Sequence, residues 1–500
     1  MYNVLALMVA TVIFGAPSPS PSPSSTPPPP QPPAPAGAAW TTREIAMLRN
    51  WIDHALSAPT LRGAQIGLIA TDTVRGNVLY TRNADQAFMP ASNFKLLVGS
   101  AALQRLGTNF TYVTSLHAES AANAGIIRGN IYLHGGGDAL LTAKDVADAA
   151  ASLVSQGVKR IEGDLVTDPS RYDTQRYGYG WSWDDLPYYY APAVSALELE
   201  DGTLHMTFAP AASVGTQAVL RVWPQSSAYT IDDELLTSPA GSKDTSDFAR
   251  IWDQPRTIEV LGNYPITSKE SGEVSPSVPD PESYAGDVLN RALAAHGITL
   301  TGSVRDGKMP ANATLLWSHD SDKMPHLLAD FWYPSDNLMG ELFLKELGVA
   351  QAGEPGTDDN GRLLEQAYLR SIGVDPMTVT ISDGSGLSQY DRITPRDLLE
   401  ILQADWNGPN RQIVLAALPV SGVRGTLKDS YVGTPAERVV FAKTGSISHV
   451  RTISGFVQTK THGPVTFSFL INQWMGEDQA TGATDLAKVR AAIFAQFALR

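Results

Sequence analysis

A serine and a lysine three residues apart, Ser92 and Lys95 in the stretch Met89-Pro90-Ala91-Ser92-Asn93-Phe94-Lys95, could together carry out acyl transfer. At the first turn of a helix this spacing puts both side chains on one face, with Cβ atoms about 5–6 Å apart. A serine hydroxyl is a poor nucleophile until an adjacent base takes its proton. Lysine is such a base when burial or a second cation lowers its pKa toward neutrality. Taken alone, the pair reads more simply as a helix N-cap serine followed by a solvated lysine.

Two later elements change that reading. Ser335-Asp336-Asn337 stands at a predicted helix start, and Lys443-Thr444-Gly445-Ser446 at the end of a short predicted strand. Each has an ordinary explanation by itself: Ser335 as a helix cap, Lys443 as a charge guarding a sheet edge. The three in this order form the Ser-x-x-Lys, Ser-Asp-Asn, Lys-Thr-Gly set of serine β-lactamases and penicillin-binding proteins. Other hydrolytic chemistries find no support. There is no G-x-S-x-G elbow, no H-E-x-x-H among the nine histidines, and no cysteine. Asp358-Asp359-Asn360-Gly361 misses the spacing of a calcium loop and reads as a turn leading into a helix.

The flanks extend the match. MPASNFKLLVGSAAL (89–103), YPSDNLMGE (333–341), DGSGLS (383–388) with Thr394-Pro395, LPVSGVRGTL (418–427) and FAKTGSI (441–447) resemble the D-alanyl-D-alanine carboxypeptidase/endopeptidase family, the class C low-molecular-mass penicillin-binding proteins. Gly135-Gly136-Gly137-Asp138 and Tyr189-Tyr190-Ala191-Pro192 resemble parts of that family's large insertion. The resemblance runs from about residue 40 to the C-terminus, and departs from the family pattern at Ala139 and Arg424.

It implies a serine DD-peptidase acting on peptidoglycan stem peptides, inhibited by β-lactams, with no metal or organic cofactor. Ser92 is then the nucleophile and Lys95 its base. Ser335 passes a proton to the leaving nitrogen, and Asn337 holds Lys95 and the substrate amide. Lys443 supplies positive charge, and Thr444, Gly445 and Ser446 surround the substrate carboxylate. The backbone N–H groups of Ser92 and Ser446 form the oxyanion hole. Asp138 either reads a substrate amine from the insertion or, as an aspartate after three glycines, is a turn residue. The alternatives are a serine β-lactamase, disfavoured by the long stretch between Lys95 and Ser335, and a non-catalytic cell-wall scaffold.

Positioning these groups requires a multidomain α+β chain. Five hundred residues exceed one ordinary core, and a net charge of −14 argues against nucleic acid as partner. Residues 1–16, with an 11-residue apolar run at 4–14, read as an export signal. Residues 17–39 form a Pro/Ser-rich linker. Residues 40–106 and 285–500 are expected to be two parts of one β-lactamase/transpeptidase-like domain, an antiparallel sheet with helices. Residues 107–284 are a strand-rich insertion, which the resemblance divides into two small domains. Within it, 126–133 and 160–166 each read as one strand. The aromatic run at 188–190 reads as core packing more readily than as the lining of a groove.

Overall fold

The structure, a computed structural model, describes residues 37–269 and 271–500. The apolar run at 4–14 and the linker up to residue 36 lie outside the described residues. Among the described residues no helix is long and apolar enough to cross a membrane.

Helix α1 (Thr42–Ala55) begins at a capping box: Thr41 Oγ1 accepts from the Glu44 N–H, and the Glu44 carboxylate accepts from the Thr41 N–H. It buries Leu48 and Ile52 against a five-stranded sheet of β1 (Gln65–Asp72), β2 (Val78–Arg82), β3 (Val440–Ile447), β4 (Val450–Gln458) and β5 (Pro464–Asn472). The order is β3-β4-β5-β1-β2, antiparallel throughout. The two ends of the chain thus share one sheet, with β1 paired to β5 from Gln65↔Asn472 to Asp72↔Val465.

Every residue of β5 is buried because helices cover both faces. On one side are α2 (Lys95–Leu106), α3 (Met324–Trp332), α4 (Leu338–Ala352), α5 (Asp358–Ser371), α6 (Pro395–Asn407) and α7 (Arg411–Ala417). On the other, α8 (Gly482–Ala498) joins α1 and buries Leu486, Val489, Ile493 and Phe497, the set its spacing predicts. Helix α2 is buried from Lys95 to Leu103. A Cβ at Gly99 would lie 2.7 Å from the Trp332 ring, so glycine there lets α3 approach α2.

Glu365 on α5 is fully buried, and neither carboxylate oxygen has a hydrogen-bond partner among the described residues. Burial pushes its pKa up to about 8. The folded state therefore holds a proton that the unfolded chain releases above about 4.5, so this group erodes stability as pH rises from 4.5 to about 8. The slope is at most about 1.4 kcal/mol per pH unit. Glu365→Gln is expected to melt close to wild type at pH 5 and several degrees higher at pH 8. Equal melting temperatures at both pH values would refute this.

The inserted region departs from expectation in three ways. Residues 126–133 form two strands, Ile126–Arg128 and Ile131–His134, and residues 160–166 likewise divide into Arg160–Glu162 and Leu165–Asp168. Gly129 (φ +103) and Gly163 mark the breaks, and a Cβ on Gly163 would lie 2.3 Å from Gly129 O. The paired strands bend together there and pass from a three-stranded to a five-stranded sheet. Finally, the insertion does not close at 284. Strand Val304–Asp306 pairs parallel with Leu165–Asp168, and Thr314–Asp320 pairs antiparallel with Val113–Ala118. The inserted sheet therefore takes strands up to Asp320, beyond the expected boundary at 284/285. Thr314–Asp320 is a largely exposed edge strand, and no clear alternation betrays it in sequence.

Candidate active site

Three backbone devices bring the motif side chains together. Ser92 lies on a 3₁₀ turn, Ala91–Phe94, and α2 starts at Lys95; the helix does not begin at the serine as expected. Ala91 has φ +47, a left-handed conformation that costs on the order of 1 kcal/mol or more for a non-glycine residue. Ser335 repeats this at φ +71, just before α4. Between Ser335 and Asn337, Asp336 Oδ1 accepts the Met339 N–H at 2.9 Å and so caps the helix. The third device is the close approach of β3 to the 3₁₀ turn. A Cβ on Gly445 would fall 2.2 Å from Thr452 Oγ1 and 2.9 Å from both Pro90 O and Ser92 N. Thr452 Oγ1 donates to Pro90 O at 2.7 Å. The buried Asn93 amide, oriented to satisfy both ends, donates to Lys443 O at 2.8 Å and accepts from Ser454 N at 3.1 Å.

Lys95 is fully buried, and its Nζ lies 3.0 Å from Ser92 Oγ, 2.6 Å from Asn337 Oδ1 and 2.6 Å from Ser385 O. Two of these neighbours are carbonyl oxygens that can only accept. A neutral amine has two N–H groups for them and one lone pair, and the Ser92 hydroxyl is the neighbour able to donate to it. Burial pushes Lys95 down to about 8, against the pull of Asp383, Asp336, Glu341 and Asp391. Lys443, also fully buried, donates to Ser335 Oγ at 2.7 Å and to Thr444 O at 2.9 Å. Burial and the charge of Lys95 push Lys443 well below the usual lysine range. A charge on either amine disfavours a proton on the other.

Of the remaining motif residues, Thr444 Oγ1 lies 2.7 Å from Thr426 Oγ1, and Ser446 is exposed at the end of β3. Ser92, Lys95, Ser335, Asn337, Lys443, Thr444, Gly445 and Ser446 thus converge. Asp138 does not join them. It accepts the Leu140 N–H at 3.0 Å and lies 3.8 Å from His319, in a cavity of about 280 Å³ that includes Asp145 and Asp322 and none of the three motifs. An aspartate behind three glycines serves its own turn readily. Arg424, the other departure from the family pattern, stacks over Tyr333 at 5.2 Å and donates to the Leu415 and Leu418 carbonyls.

Sequence reasoning missed the groups that hold the holders. Ser385 O, on Lys95, is fixed by Asp383, whose carboxylate accepts from the Ser385, Gly386 and Ser388 N–H groups and from Trp181 Nε1 at 2.8 Å. Gly386 (φ +78) packs against Ala91, where a Cβ would meet Ala91 O at 2.1 Å. Asn337 Nδ2 donates to Tyr190 O at 2.7 Å. Tyr190 and Trp181 belong to the insertion, so that region helps to shape the site. An aspartate before Gly-Ser-Gly signals a side-chain-closed turn, which is the clue 383–388 offered.

A family model described as the D-Ala-D-Ala carboxypeptidase 3 (S13) family matches residues 48–493. A D-alanyl-D-alanine carboxypeptidase of Actinomadura sp. is 34% identical over 446 residues, covering 86% of this chain and 81% of that protein. The D-alanyl-D-alanine carboxypeptidase DacB of Haemophilus influenzae is 24% identical over 418 residues, 83% of this chain and 87% of that one. Among solved structures, penicillin binding protein 4 (dacB) from H. influenzae superposes with a TM-score of 0.80 at 23% identity, covering 89% of this chain and 98% of that one. The same protein has been solved in complex with a β-lactam, with a TM-score of 0.74 at 22% identity over 90% of this chain and 99% of that one. These structural likenesses establish the fold.

Proposed function

The chain belongs to the D-Ala-D-Ala carboxypeptidase 3 (S13) family, and from that premise we propose the parts its residues play in the reaction. The enzyme is a D-alanyl-D-alanine carboxypeptidase. Ser92 gives its proton to the Lys95 lone pair, and its oxygen attacks the carbonyl of the penultimate D-alanine. The oxyanion is held by the Ser92 and Ser446 N–H groups, donors worth roughly 2.7–4 kcal/mol each in comparable acyl transfers. Ser335 Oγ relays the proton to the departing nitrogen, D-alanine leaves, and water hydrolyses the ester. Lys443 takes the substrate carboxylate together with Thr444 and Ser446.

The single observation that carries this reading is the Lys95 amine, 2.6 Å from two carbonyl acceptors and 3.0 Å from Ser92 Oγ, which it faces as a donor when charged and as the proton acceptor when neutral. Arrival of a carboxylate beside Lys443 favours an ammonium there. Repulsion between the two amines then favours neutral Lys95, so substrate binding itself readies the base. Thr444, Gly445 and Ser446 contact substrate; Asp138 stands outside this scheme.

The substrate is the stem peptide of peptidoglycan, a location that fits the export signal read at 1–16. A crosslink whose leaving amine belongs to another stem peptide would be cut through the same acyl-enzyme. A β-lactam acylates Ser92 with its leaving nitrogen still tethered, which makes it an inhibitor. The test is free D-alanine released from a diacetyl-lysyl-D-Ala-D-Ala tripeptide: steady release by wild type and none by Ser92→Ala is expected. No release by folded wild type, with or without a crosslinked dimer as substrate, would overturn it.

A further inference from the structure

The part of the insertion that touches the active site also carries an unusual outer surface. Trp183 and Tyr179 are 67% and 63% exposed, and Tyr390, Tyr189 and Trp252 about half exposed. These rings are organised: Trp183 meets Trp252 edge-on at 5.6 Å, Tyr179 lies 5.4 Å from Tyr390, and Tyr189 meets Tyr190 at 5.4 Å. Arg250 sits 6.0 Å over the Trp252 ring. Large aromatic groups are left in water at an energetic cost unless a partner covers them.

Several of these rings sit on segments that also hold the catalytic groups. Trp183 is two residues from Trp181, whose indole donates to Asp383, and Tyr190 O holds Asn337. The backbone at Gly180 packs against Tyr390 and Ser388. Apart from Arg250, the polar members of this surface are carboxylates and hydroxyls: the exposed Asp184 accepts from Ser182 Oγ, and Asp185 accepts from Tyr190 OH at 3.0 Å. Flat aromatic faces beside hydrogen-bond acceptors suit the C–H face and hydroxyls of a pyranose. Nucleic acid bases would also stack on such rings, but a chain of net charge −14 repels a polyanion.

We infer that the aromatic face formed by Tyr179, Trp183, Tyr189, Trp252 and Tyr390 binds a polysaccharide strand, the glycan to which the stem peptide in the active site is attached. This rests on the proposed peptidoglycan substrate and deepens it. Glycan docking next to Ser92 raises the local concentration of stem peptides and makes wall polymer a better substrate than free peptide.

The test uses the Trp183→Ala/Trp252→Ala protein, with Trp183→Ser alongside should the double variant fail to fold. Binding is read by co-sedimentation with insoluble peptidoglycan stripped of its stem peptides, and activity by D-alanine release from the free tripeptide. Wild type and Ser92→Ala should both sediment with stripped glycan, and the tryptophan variants should lose at least tenfold in binding with tripeptide turnover unchanged. Variants that sediment like wild type, or wild type that does not sediment, would overturn the inference. Loss of glycan binding in the variants of an enzyme that releases no D-alanine would sink the proposed reaction and leave the glycan surface standing.

Discussion

Acylation of Ser92 is expected to slow by roughly 10²- to 10⁴-fold in Lys95→Met, the range for loss of a positioned general base. Methionine fills most of the buried volume and offers no proton acceptor of comparable basicity, so lost chemistry is separated from lost packing. The wild-type pH profile should carry the same information. The base must be neutral, and Lys95 is held at about 8 by burial against four carboxylates. Below that value the neutral fraction falls tenfold per pH unit, so the acylation rate should rise with unit slope up to about pH 8 and then level. The Met variant should lose that rise. A variant with an unchanged slope would mean that another group removes the serine proton. Because a carboxylate beside Lys443 favours neutral Lys95, kcat should reach its plateau at lower pH than kcat/KM.

A second large effect is expected from the smallest change available, Gly445→Ala. The added methyl would lie 2.2 Å from Thr452 Oγ1 and 2.9 Å from Pro90 O and Ser92 N. Neither backbone atom belongs to a flexible side chain, so β3 and the 3₁₀ turn must separate. Ser92 then moves relative to the Ser446 N–H, and the oxyanion loses a donor. A loss of about 10²–10³ in acylation is expected, the cost of one such donor elsewhere. Thr452→Ala in the same protein removes the closest contact but not the two at 2.9 Å, so it should restore activity only in part. Full restoration would assign the effect to Thr452 alone, and near-wild-type activity of Gly445→Ala would remove this account of the strand's approach.

Both predictions depend on parts of the site that differ in how legible they are in sequence. Ser92 and Lys95 were legible because one helical turn fixes their relation, and Lys443 because it ends an apolar run that is a strand of the central sheet. The antiparallel sheet with helices followed from alternation in β5 and the spacing of α1 and α8. Ser385 and Tyr190 were not legible as contacts, since each contributes a backbone carbonyl that any residue could supply. The strand breaks at Gly129 and Gly163 were visible as glycines, but the sheet exchange they permit depends on two strands meeting in space. The inserted sheet ran on to Asp320 because its closing strands are short or exposed and carry little pattern. Asp138 shows the converse: a motif-like context drew attention to a residue that no hydrogen bond or ion pair joins to the catalytic groups among the described residues.

The central claim is that Ser92, activated by Lys95, forms an acyl-enzyme. Intact mass followed over time after mixing the protein with benzylpenicillin, with Ser92→Ala in parallel, tests it most directly. The expected result is one long-lived adduct on wild type that maps to the peptide containing Ser92, and none on the variant. An equal adduct on Ser92→Ala, or no adduct on folded wild-type protein, would contradict it.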